Sequence, residues 1–207
     1  MNKFLIAIAS LFLWACNNAT TSSETDVNKR DQAYIDSVEK VRKQKHVEFK
    51  VAKNSPFYKH KNFKELSYYP VTKAYRFWVK LHKLAQPELV QFVTSGSRQP
   101  VYQKVCFLSF SMGTELPDTL WGFVQSSHPS VLFVPFKDLT NNETTYGGGR
   151  YLELDYSPQM DSIYLDFNFA FNPYCHYDTG YSCPVVPFEN HLKREINAGE
   201  KRYPYAK

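Results

Sequence analysis

Between residues 75 and 172 the chain is a succession of short runs in which apolar and polar side chains alternate, with no helical repeat between them. Residues 75–82 set the pattern. Tyr75, Phe77, Val79 and Leu81 fall on one side of an extended backbone, and Arg76, Trp78, Lys80 and His82 fall on the other. Further runs follow at 88–93, 103–110, 119–125, 131–136, 150–156 and 163–172. The run 131–136 is apolar throughout, which predicts a strand buried on both faces. Turn residues at 112–118 and 157–161 separate neighbours at hairpin distance. About eight short strands connected in this way predict a mainly β fold, an antiparallel sandwich or a partly closed barrel. Ahead of them, Tyr34, Ile35, Val38, Val41 and Lys45 recur at three- to four-residue spacing. This predicts an N-terminal helix over 28–46 with Asn28 as its cap, ended by Asn54-Ser55-Pro56. Glu189 and Asn190 are placed to cap a short C-terminal helix. With 16% aromatic residues in 207, burial can offset chain entropy, so residues 28–207 are expected to form one globular domain.

The start of the chain has a different character. Lys3 precedes an apolar stretch, 4–14, interrupted only by Ser10 and ending in Leu13-Trp14-Ala15-Cys16. That stretch is too short to remain as a membrane span but suits a secretory signal. Leu13 and Ala15 before Cys16 resemble the lipobox of bacterial lipoproteins. The resemblance implies cleavage after residue 15, diacylglycerol on the Cys16 thiol and acylation of the new amine, for example by palmitate. Residues 16–27, rich in Ser, Thr and Asn, then read as a flexible tether. Such an anchor is stable once two or three acyl chains are attached. The expected location is the outer membrane, periplasmic or surface side, with Asn17 in place of an Asp favouring that membrane by analogy. Loss of residues 1–15 removes only Lys3 from a net charge of +5. The remaining excess is dispersed and no recognition motif is present, so nucleic acid is not an expected partner.

Candidate chemistry concentrates after residue 144. Gly147, Gly148 and Gly149 lead into Arg150 and a strand. Consecutive glycines can expose N–H groups to an anion, with Arg150 as a bidentate partner, or can simply form a bulged turn. In 163–172 the strand period sends Ile163, Leu165, Phe167, Phe169 and Phe171 one way, and Tyr164, Asp166, Asn168, Ala170 and Asn172 the other. Asp and Asn are poor strand formers, so their grouping on one face points to a lined pocket rather than plain solvent. Cys175 and Cys183 are spaced for a disulfide in an oxidising compartment. A metal site of Cys175, His176, Cys183 and His191 is a rival, though it lacks the short paired intervals of structural zinc sites. Adjacent Cys175 and His176 point apart, which is poor geometry for a nucleophile and its base. Cys106 lies within the apolar run 105–108 and reads as a core thiol. Neither H-E-x-x-H nor G-x-S-x-G occurs.

Taken in order, these strings resemble the bacterial domain-of-unknown-function family 1684. The matching text includes Phe63-Lys64-Glu65-Leu66, Leu132-Phe133-Val134-Pro135-Phe136, Tyr146 to Leu152, Leu165-Asp166-Phe167-Asn168, Asn172-Pro173-Tyr174-Cys175, Ser182-Cys183-Pro184 and Ala198-Gly199-Glu200-Lys201. The similarity spans roughly residues 30–203 and is greatest to the short lipoprotein form. The family implies a domain without supplying a mechanism, and neither cofactor nor metal is expected.

The reading that follows is a membrane-anchored binding or structural module of the cell envelope. It would hold a polar or anionic ligand, or an envelope partner, in a pocket of Gly147, Gly148, Gly149, Arg150, Asp166, Asn168, Asn172, Glu189 and Asn190. The alternative is a hydrolase using Asp166 and Glu189 as a carboxylate pair, which needs the two within about 5–9 Å in an open cleft.

Overall fold

The structure is a computed structural model that describes residues 19–59, 62–113 and 116–204. The expected signal at 1–15 and the anchor Cys16 lie outside the described residues. The chain divides into two units, Met1–Asp36 and Ser37–Lys207. What is described of the first is helix, mostly exposed over residues 28–36, with the Gln32 amide donating to Asp36 Oδ1 at 2.8 Å. Helix α1 spans Ala19–Val51, so it exceeds the expected 28–46 at both ends and takes in residues 19–27 of the expected tether. Within the second unit, Val38 and Phe49 of α1 are buried and Arg42 donates to the carbonyls of Tyr69 at 2.9 Å and Asn168 at 3.2 Å.

Six strands follow: β1 (Arg76–Gln91), β2 (Val101–Phe110), β3 (Asp118–Gln125), β4 (His128–Phe136), β5 (Arg150–Asp155) and β6 (Ser162–Asp166). They form one antiparallel sheet in the order β5-β4-β3-β2-β1-β6. The two edge strands, β5 and β6, come alongside each other without a ladder. A bridge from Tyr151 to Phe171 closes the barrel at one end of this seam. Of the two expected architectures, the partly closed barrel is the one present.

Alternation along each strand fills the interior. Leu81, Leu108, Leu120, Leu132, Phe136 and Leu165 meet inside, with Cys106 among them as expected. Phe123, Phe133 and Tyr151 point outward from the same sheet and are covered by Cys183 and Val186. The β4 run is therefore buried on both sides, as its composition predicts.

Two departures from the sequence pattern have local causes. The runs at 75–82 and 88–93 belong to a single strand, β1, whose register to β2 shifts between Lys83 and Glu88. Pro87 lies in that interval and lacks a ladder donor, so the irregularity is a bulge rather than a break. Conversely, β6 stops at Asp166 instead of continuing to 172. The Asp166 carboxylate accepts from the backbone N–H of Asn168 at 3.0 Å and starts a 3-10 turn, Phe167–Phe169. Phe167 is buried and Phe169 is 39% exposed, so the strict alternation ends there.

The short C-terminal helix is a single 3-10 turn, Phe188–Asn190, entered through Pro187. Beyond it the chain runs extended, bridging Lys137 to His191 and Tyr68 to Glu200. Gly199 has φ +75°, and a Cβ there would stand 2.6 Å from the Phe167 carbonyl and 2.7 Å from that of Ala170. Only glycine lets this segment lie so close to the turn after β6.

Candidate functional site

The glycine turn is built for geometry. Gly149 has φ +94°, its N–H donates to the Tyr146 carbonyl at 3.0 Å, and a Cβ there would meet the Phe136 carbonyl at 2.6 Å. A Cβ on Gly147 would strike the Asn142 side chain, and one on Gly148 the Tyr146 ring. Arg150 does not reach a pocket; it is fully buried. Its guanidinium donates to Asp138 Oδ2 at 2.8 Å, to the Ile196 carbonyl at 2.8 Å, and to the carbonyls of Ala198 and Glu200. Asp138 in turn accepts from Thr140 N–H at 2.9 Å and Ile196 N–H at 3.3 Å. This charged pair is closed on all sides and leaves no place for an anionic ligand.

The other expected pocket residues disperse among separate bonds. Asn168 exchanges two hydrogen bonds with Thr72, at 3.1 and 2.8 Å, in the manner of a backbone partner. Asn172 donates from its backbone to Glu200 Oε2 at 3.0 Å and from its amide to the Lys201 carbonyl at 2.8 Å. Asn190 donates to the carbonyls of Trp121 and Pro135, at 2.9 and 2.7 Å, and accepts from Trp121 N–H at 2.7 Å. Asp166 and Glu189 line different hollows. Asp166 borders the seam, whereas Glu189 stands with Asp118, His191 and Arg194 around a cavity of about 430 Å³. The expected carboxylate pair is therefore not assembled. The pair requires both carboxylates in one open cleft, and they border two different ones.

Cys175 and Cys183 are neighbours, and both are free thiols. The Cys175 N–H donates to Cys183 Sγ at 3.2 Å, and the Tyr146 hydroxyl lies 4.0 Å from Cys175 Sγ. A hydrogen bond from Cys183 holds the Cys175 thiol down, to about 6, against the opposing effect of burial. Cys183 is pushed up by the same bond and by burial. His176 does not join them as a ligand: its Nε2 accepts from Tyr203 N–H at 2.8 Å. Burial lowers the His176 imidazole to about 4. Among the described residues no group of three or more His, Cys, Asp or Glu is arranged to hold a metal ion.

An open site does exist, on the outer side of the seam. A cleft of about 360 Å³ is bordered by Arg76 and Trp78 of β1, Glu153 and Asp155 of β5, and Tyr164 and Asp166 of β6, with Met160 and Phe169 also in its lining. Trp78 is 62% exposed, and its ring meets that of Tyr164 edge to face with centroids 4.5 Å apart. Arg76 lies 4.3 Å above the Tyr164 ring and 3.7 Å from Asp166 Oδ2. The Glu153 side chain is exposed and makes no hydrogen bond or ion pair among the described residues, and partial desolvation by the surrounding protein raises its carboxyl above the usual value. It also borders a second hollow of about 320 Å³, with Tyr102, Phe133, Tyr151 and Pro184. Of the nine residues expected to line a pocket, Asp166 alone borders this seam cleft. The remaining residues of the cleft were missed, although one signal was visible. Trp78 and Tyr164 are large aromatics on the polar side of their strands, where neither packing nor solvation favours them.

The sequence profile of a family described as protein of unknown function (DUF1684) matches residues 61–201. The chain belongs to that family. A solution NMR structure of an uncharacterized protein from Haloarcula marismortui shares the fold, with a TM-score of 0.63 and 33% sequence identity over 88% of this chain and 97% of that one. No curated protein matches. The matched span of the DUF1684 profile contains the Arg150 network, both thiols and the seam.

Arg150→Ala strands Asp138 as an unpaired buried charge and should destabilise the domain by about 3–5 kcal/mol in urea unfolding. Removing Asp138 as well should recover part of the loss. His176 binds its proton less readily folded, at about 4, than unfolded, at 6.5. Its contribution to stability is therefore complete above pH 6.5 and is lost as pH falls toward 4, with a slope of at most about 1.4 kcal/mol per pH unit. Thermal unfolding across that window should be less pH-dependent in His176→Gln than in the parent.

Proposed function

We propose that this DUF1684 protein is a binding module of a bacterial cell envelope, held at the outer membrane through lipidated Cys16, with the β5–β6 seam as its ligand site. The observation that carries the binding reading is the seam's exposed aromatic corner of Trp78 and Tyr164 beside the unpartnered Glu153 carboxylate. Exposed aromatics beside convergent polar groups in a concave setting are the usual marks of a ligand site. The polar residues elsewhere in the body serve cohesion, since Arg150, Asn168, Asn172 and Asn190 are committed to internal hydrogen bonds. The anchor is supported by the placement of Cys16 where the apolar run ends, after Leu13 and Ala15.

Two measurements test this reading. Metabolic labelling with palmitate in a bacterial host should mark the full chain and fractionate it with membranes, and Cys16→Ser should lose both properties. Native mass spectrometry of the purified protein should show a co-purifying small molecule that Trp78→Ala releases. An unlabelled parent chain removes the anchor, and a ligand-free parent chain removes the binding site.

In such an oxidising setting the adjacent thiols are placed to pair by exchange with another protein's disulfide, two thiol protons and two electrons passing to that partner. Closing so short a loop stabilises by about 2–3 kcal/mol. Alkylation of unreduced protein should leave Cys175 and Cys183 unmodified, and modification of both would discard the bond.

A further inference from the structure

We propose that the seam cleft takes a small organic cation, its ammonium group held between the aromatic rings of Trp78, Tyr164 and Phe169 and the Glu153 carboxylate. This rests on the seam being the ligand site and adds the ligand's charge class. It also reverses the anionic ligand expected from the sequence, because the arginine that expectation relied on is sealed inside the body.

Charge counting around the cleft decides the sign. Glu153, Asp155 and Asp166 border it, against the single cation Arg76. Arg76 is committed to Asp166 and the Tyr164 ring, and so does not neutralise Glu153. The other cations acting on Glu153 are His128 of β4 and Lys45 of α1. Lys45 is spent on Glu200, 2.7 Å away, and lies 4.8 Å above the Phe171 ring. His128 shares a hydrogen bond with Ser127 at 2.9 Å. Tyr102 and Tyr151, on the far side of Glu153, contribute no positive charge. An acidic hollow on a chain of net charge +5 repels anions locally and attracts cations.

The walls select what kind of cation. A strongly hydrated metal ion needs several converging oxygen ligands, and Glu153, Asp155 and Asp166 are not grouped to supply them. A weakly hydrated ammonium is attracted by aromatic faces, each contact contributing more as water is excluded. The protein already uses one of these rings in that way, since the Arg76 guanidinium sits over Tyr164. Trp78 meets Tyr164 at an interplanar angle of 64°, so the two rings form a corner rather than a flat platform. An exposed carboxylate bordering the same cleft gains a counter-charge when the ammonium arrives, and its proton affinity falls accordingly.

The test uses choline, a permanent cation with no ammonium proton to titrate, and its uncharged isostere in which carbon replaces the quaternary nitrogen. Saturation-transfer NMR on the full chain in a maltoside detergent reads both affinities. Choline should bind at least about tenfold more tightly than the isostere, and Glu153→Gln and Trp78→Ala should each weaken choline about tenfold or more. Thermal unfolding of both variants should match the parent, since neither side chain closes an internal bond. Choline affinity should also rise with pH as Glu153 ionises above 4.5, and Glu153→Gln should abolish that rise. Equal affinity for the isostere overturns the cation while leaving the cleft as a ligand site. A pH rise that survives unchanged in Glu153→Gln overturns the role given to Glu153. Failure of both compounds in a protein whose co-purifying molecule is released by Trp78→Ala overturns the charge class alone. Failure of both in a protein carrying nothing overturns the cleft itself.

Discussion

The guanidinium of Arg150 is the point on which this body turns. It sits with no solvent contact between Asp138, just after β4, and the carbonyls of residues 196, 198 and 200. A buried cation is tolerated only when its donors are met, and here most are met by backbone that has no regular structure of its own. The C-terminal segment is therefore held by charge-assisted bonds rather than by a ladder, and it carries Glu200 with it. Glu200 then gathers Lys45 of α1, the Asn172 N–H and the Tyr177 hydroxyl. Through these two side chains the helix, the seam and the chain end are fixed to one another.

Holding the chain end from inside has a counterpart at the seam. Strands β5 and β6 are the two edges of a sheet that almost closes, and exposed edges invite unwanted pairing. Asp166 cuts β6 short, the Tyr151–Phe171 bridge fastens one end, and the charges of Glu153 and Asp155 border what stays open. The same gap that prevents full closure leaves room for a cleft of ligand size. The proposed binding surface and the incomplete barrel are thus one feature seen from two sides.

Much of the scaffold was legible because the period of two is a direct imprint of a half-buried sheet. Tyr75 to His82, Gln103 to Phe110 and Thr119 to Gln125 could be placed from alternation alone, and the doubly apolar run at 131–136 identified a strand covered on both faces. What alternation could not reveal was Pro87 being absorbed as a bulge, or Asp166 acting as a cap, because both depend on local hydrogen bonds instead of burial. The candidate site fared worse for a related reason. Arg150, Asn168, Asn172 and Asn190 have the chemistry of a pocket, yet a polar side chain in sequence looks the same whether it meets ligand or backbone. Their buried partners are carbonyls, which every residue possesses and no motif records. Trp78 and Tyr164 carried the opposite signal, being conspicuous by lying on the wrong side of their strands.

The reliance of Arg150 on residues 196–200 sets an order of events. A nascent chain in which residues 196–200 are not yet available has the cation and Asp138 but not the oxygens that surround them, and enclosing the pair at that stage costs several kcal/mol. Closure of the core around Arg150 therefore follows the arrival of that segment, however early the strands themselves have paired.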